Sequence, residues 1–82
     1  MSGAAPLLTL YRRVDCHLCE EAEALLNRLH LCWQAVDVDE DEELVRRFGD
    51  RVPVVLREGR EIAQAPITEA ALRAAVLGPA GD

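Results

Sequence analysis

Apolar and polar positions along this chain change period several times, and each change marks an element. Leu7 to Tyr11 (Leu-Leu-Thr-Leu-Tyr) is a short β-prone run and predicts a first strand. Beyond Cys16, apolar Leu18, Ala22, Leu25, Leu26 and Leu29 fall at i, i+4, i+7, i+8 and i+11, which predicts a helix with one inward face. Its other face carries Glu20, Glu23, Asn27 and Arg28, and the acids gather early, where they complement the helix dipole. From Leu31 to Val38 the period drops to two, with Cys32, Gln34, Val36 and Val38 on one side and Leu31, Trp33 and Ala35 on the other. Apolar groups on both sides predict a strand covered on both faces, with Cys32 a small buried hydrophobe and Trp33 a packing residue.

The second half punctuates itself as clearly. Asp39, three residues before Glu42, resembles a capping box opening a short helix with Leu44, Val45 and Phe48 inward. Arg46 and Arg47 suit its last turn, and Gly49 suits the residue after its end. Val54-Val55-Leu56 reads as a strand entered through Pro53, Glu58-Gly59 as a tight hairpin turn, and Arg60 to Gln64 as the returning strand. Thr68 is placed to cap a last helix, with Ile67 and Leu72 as its hydrophobic staple and Gly78-Pro79 as its stop. The order β-α-β-α-β-β-α predicts one α/β domain, its core about 7–77. Its sheet is mixed and four-stranded, with a parallel first βαβ unit, an antiparallel closing hairpin and flanking helices.

Composition narrows what such a domain does. The chain has 82 residues, half of them apolar, enough for one thin core and no second domain. A net charge of −6 argues against nucleic acid or an anionic membrane surface as partner. All nine basic residues are Arg, so lysine chemistry is absent. No apolar run approaches the ~20 residues a membrane span needs. No signal peptide is apparent in Met1 to Pro6, so a cytoplasmic location is expected.

The chemistry concentrates in Cys16-His17-Leu18-Cys19. Three cysteines are too few for a disulfide scaffold, and a Cys-x-x-Cys pair without a secretion signal points to redox chemistry or metal binding. The pair lies where the first strand hands over to the first helix. Unpaired N–H groups there favour a thiolate, and such positions lower a thiol pKa from about 8.5 toward ~3.5–7.5. Cys16 is therefore the expected nucleophile and Cys19, one turn in and shielded by Leu18, the resolving thiol. His17 is either a thiolate partner or a solvated loop side chain, while Asp15, Glu20 and Glu21 oppose a negative sulfur. Cys16, Cys19, His30 and Cys32 also read as a zinc set, but ten helical residues between the two halves span ~15 Å. The acidic run Asp37 to Glu43 reads as a solvated cap rather than a metal loop, and Tyr11 as a core residue or a rim of the site.

With this pair between strand and helix, and Arg51-Val52-Pro53-Val54 opening the third strand, the chain resembles the glutaredoxin-like branch of the thioredoxin-fold superfamily. The likeness runs from about Leu8 to Val76, and Cys-His-Leu-Cys followed by Glu-Glu-Ala resembles a group of small bacterial members. It implies Cys16 as nucleophile, Cys19 as resolving cysteine, Pro53 as a cis-proline facing the dithiol, and Val52 as the residue whose backbone pairs with substrate. It further implies Arg13, and at the last helix start Thr68, as contacts for glutathione. Two features depart from glutaredoxins: Gln64-Ala65-Pro66-Ile67-Thr68 stands where they carry a Gly-Gly pair, and Asp15 is acidic. The activity so implied is thiol–disulfide exchange through a mixed disulfide on Cys16. It needs no bound cofactor, an external thiol reductant such as glutathione, and a disulfide-containing protein or small thiol as substrate. A monomer is expected, with no nucleic-acid or membrane partner. A non-catalytic docking or redox-sensing adaptor is the main alternative, and thiol-based metal or iron–sulfur handling a third.

Overall fold

Two strands rich in apolar residues take the centre of the sheet. β1 (Leu8–Arg12) and β3 (Val54–Arg57) pair antiparallel, Tyr11 opposite Val54 and Leu8 opposite Arg57. β2 (Trp33–Asp37) joins β1 in parallel and β4 (Arg60–Gln64) joins β3 antiparallel, giving the order β2-β1-β3-β4. The computed structural model describes residues 7–77. The helices are α1 (His17–Arg28), α2 (Glu42–Phe48), preceded by a 3-10 turn at Val38–Glu40, and α3 (Glu69–Leu77).

Alternation along the central strands sends side chains to two cores. Leu8, Leu10 and Val55 meet Ala22, Leu25 and Leu26 of α1 and Leu72 of α3 on one face. Val54 and Leu56 meet Val38 and Phe48 on the other, with the Tyr11 ring edge-on to Phe48 at 4.8 Å. The predicted α/β architecture with a mixed four-stranded sheet is the one observed. The hairpin turn forms as its sequence demands, since Glu58 (φ 53°) and Gly59 (φ 82°) both adopt the left-handed conformation that short hairpins require. Thr68 caps α3, its Oγ1 accepting the Ala71 N–H at 3.1 Å. The expected stop at Gly78-Pro79 lies outside the described residues.

Four local expectations are corrected. β2 is an edge strand, with Gln34 and Ala35 exposed rather than covered, and Cys32 just before it is exposed, not buried. Leu18 faces outward, and Cys19 takes its place in the buried stripe with Ala22, Leu25 and Leu26. The cap of α2 is Asp41, whose carboxylate accepts the Glu43 and Leu44 N–H groups, because Asp37 and Asp39 belong to the preceding 3-10 turn. Gly49 directly follows the last residue of α2, as expected, and is right-handed (φ −53°). A Cβ there would lie 2.6 Å from the Val45 carbonyl oxygen, which is why glycine fits.

Candidate active site

Strand directions bring separate segments to one end of the sheet. The carboxyl ends of β1, β2 and β4 and the amino end of β3 coincide there, because Arg12 stands opposite Asp37, and Val54 opposite both Tyr11 and Gln64. Four loops therefore open side by side: residues 13–16 into α1, 38–41 into α2, 52–53 into β3 and 65–68 into α3. The Ala65 N–H donating to the Pro53 carbonyl at 3.1 Å ties two of them together.

At this end Asp15, with φ 61°, turns the chain out of β1 so that Cys16 becomes the N-cap of α1. Cys16 and Cys19 are joined as a disulfide, their Cα atoms 5.2 Å apart. Cys16 Sγ also accepts the Cys19 N–H at 3.1 Å, one of the donors a helix start leaves unpaired. The two sulfurs differ in access: Cys16 is half-buried, whereas Cys19 has no exposed surface. Reduction would leave Cys16 within reach of solvent, with a helix N–H aimed at its sulfur.

Of the other sequence-predicted site residues, Arg13 follows β1, and Val52 and Pro53 precede β3, at this same end. Pro53 is buried behind a cis Val52–Pro53 peptide, Val52 is half-buried, and a second cis bond joins Ala65 to Pro66. Thr68 is exposed at the start of α3, its hydroxyl occupied as a cap, and the next residue, Glu69, pairs with Arg28 at the carboxyl end of α1. Arg13 is bound on three sides. Its Nε and Nη2 donate to Asp39 at 3.1 and 2.7 Å, and Nη1 donates to the Gly49 carbonyl at 3.1 Å. The hydrogen bond and charge of Asp39 hold the guanidinium more firmly protonated than usual. Asp39 and Gly49 were not legible as site neighbours, since they lie 26 and 36 residues from Arg13. His17 pairs with Glu21, one helical turn on, at 2.8 Å.

His30 and Cys32 lie beyond the far end of α1, away from the disulfide. A cavity of about 230 Å³ opens there, lined by Leu29, His30, Leu31, Leu72 and Val76 with Arg28 and Arg73. Among the described residues no group of three or more His, Cys, Asp or Glu is arranged to hold a metal ion, and no helix is long and apolar enough to cross a membrane.

A model of the family described as Glutaredoxin-like domain (DUF836) matches residues 7–77. The chain belongs to the glutaredoxin-like family. Among solved structures this member is similar to the Northeast Structural Genomics target protein XcR50 from X. campestris. The identity is 40%, the TM-score 0.75, and the likeness covers 82% of this chain and 91% of that one. The glutaredoxin (grx-1) of Archaeoglobus fulgidus shares the fold at 18% identity and TM-score 0.64, over 94% of this chain and 90% of that one. The holo form of glutaredoxin C1 from Populus tremula x tremuloides shares it at 22% identity and TM-score 0.54, over 72% and 65%. No curated protein matches the chain.

Proposed function

We propose that this glutaredoxin-like protein is a dithiol–disulfide oxidoreductase. The observation that carries the reading is the asymmetry of the pair: Cys16 caps α1 with a half-buried sulfur that accepts a helix N–H, and Cys19 is fully buried behind it. The Cys16 thiolate attacks one sulfur of a substrate disulfide, forming a mixed disulfide and releasing the first substrate thiolate. Cys19, deprotonated, then attacks Cys16 Sγ. The Cys16–Cys19 bond closes and the second substrate thiolate leaves. Two electrons pass to the substrate, and the two thiolates take up the two protons the dithiol gives up. An external thiol reductant reverses the oxidation, and the reading requires no bound cofactor. It fits a monomer in a reducing compartment such as the cytoplasm, with Val52 and Pro53 flanking the substrate.

The test uses an uncharged substrate, bis(2-hydroxyethyl) disulfide, with the fully reduced protein. Wild type is expected to release two thiols per protein and end oxidised. Cys19→Ser should stop with one mercaptoethanol on Cys16, visible as a mass increase, and Cys16→Ser should form neither product. A reduced wild type that leaves this disulfide intact would overturn the proposal in favour of the adaptor reading.

A further inference from the structure

The surroundings of Cys16 say which disulfides suit it, given the oxidoreductase reading above. Three large apolar side chains are strongly exposed among the described residues. Two of them, Val14 (63%) and Leu18 (49%), lie two positions before and two after Cys16. Their exposure on either sequence side of the helix-capping sulfur leaves apolar surface open to a bound partner.

Charge points the same way. The arginines nearest the pair in sequence and at the mouth of β3 are matched: Arg12 with Glu23, Arg13 with Asp39 and the Gly49 carbonyl, and Arg51 with Glu61 and Gln64, while Arg47 lies over the Phe48 ring. Asp15 and Glu20 are exposed and have no ion-pair partner among the described residues, and Glu21 has only His17. The free charge around Cys16 is therefore negative, on a chain whose net charge is already −6. Glutathione carries two carboxylates and one ammonium, so it meets repulsion from these acids and finds the Arg13 guanidinium already engaged.

We propose that the rim formed by Val14, Leu18 and the unpaired acids beside Cys16 docks a polypeptide cysteine flanked by apolar and basic side chains, in preference to glutathione. Val14 and Leu18 would cover the apolar neighbours of the substrate sulfur. Asp15 and Glu20 would face its basic ones. Asp39 acts as a specificity residue at one remove, by keeping Arg13 from substrate carboxylates. The electron balance is that of the exchange above, with the peptide disulfide reduced to two peptide thiols.

Reduced protein would be mixed separately with oxidised glutathione, with a short peptide disulfide carrying Leu and Arg beside its cysteine, and with the same peptide carrying Glu for Arg. Each second-order rate is divided by that of mercaptoethanol with the same disulfide, which removes differences in intrinsic reactivity. At low salt the Arg peptide is expected to exceed both anionic substrates by roughly fivefold or more, the scale of one or two exposed charge pairs. The margin should shrink in 1 M salt, where the Debye length is about 3 Å. Asp39→Asn, by releasing Arg13, should narrow it from the glutathione side, and Leu18→Ser should slow the Arg and Glu peptides together. Oxidised glutathione reacting as fast as the Arg peptide at low salt would overturn the proposal, as would a margin untouched by salt. Bis(2-hydroxyethyl) disulfide separates the two readings: its reduction without the charge preference sinks only the specificity.

Discussion

The two ends of α1 carry nearly the same reactive residues in very different settings. Cys16, His17 and Cys19 stand at the amino end, and His30 and Cys32 lie just beyond the carboxyl end. At the first, the helix directs an unpaired N–H at a half-buried sulfur with a second sulfur in bonding contact. At the second, Cys32 is exposed before an edge strand, and its backbone carbonyl accepts the Leu8 N–H. Thiol chemistry is decided by which backbone groups face the sulfur and by what shares the site, more than by the residue itself.

That comparison can be broken most severely by removing what both ends share. Leu26 is wholly buried in the middle of α1 against the sheet, so Leu26→Ala should cost about 2–5 kcal/mol in urea unfolding. Such a loss is a large part of the ~5–15 kcal/mol that holds a typical domain. A loss well under 1 kcal/mol would mean the helix is not the common support of its two ends.

A milder test sets the thiols against each other. In reduced protein at pH 7, Cys16 should alkylate with iodoacetamide before Cys32, by about tenfold if the helix start lowers its pKa by one unit. Cys19, being buried, should alkylate after Cys16. Peptide mass mapping gives the order directly, and Cys32 reacting first would remove the distinction drawn between the ends.

The smallest effect belongs to the far end, where Glu69 at the start of α3 meets Arg73 and Arg28. Hydrogen bonding from Arg73, helped by the charges of both arginines, holds its carboxyl below the usual value. A lowered folded-state pKa gives a contribution that is full above the ordinary Glu value of about 4.3 and fades as pH falls through the lower folded value. The group is solvent-screened, so the gain is slight. Glu69→Gln should be slightly less stable than wild type at pH 7, and the difference should vanish by pH 2–3 in thermal melts. A gap that widened on acidification would reverse the sign argued here.

What the sequence disclosed was local. The three-turn face of α1, the Glu58-Gly59 turn, the Thr68 cap and the dithiol at a helix start each depend on residues a few positions apart. What it concealed depended on distance or on a tie between neighbours. Leu18 and Cys19 both fit the inward stripe, and the disulfide sulfur is the one that occupies it. Three aspartates in the run Asp37 to Asp41 all fit a cap, and the intervening 3-10 turn gives α2 to Asp41. The apolar alternation of β2 suggested cover on both faces, but strand order put it at an edge. Arg13 looked available because nothing nearby in sequence predicts a carboxylate 26 residues away.

The burial of Cys19 has a kinetic consequence for direction. On the proposed reading, a thiol or disulfide arriving from solvent meets only the Cys16 sulfur of the pair, so oxidation and reduction both pass through an adduct on that one sulfur. By microscopic reversibility the protein then has no one-way valve of its own. Net flow follows whichever partner pool is richer in thiol or in disulfide.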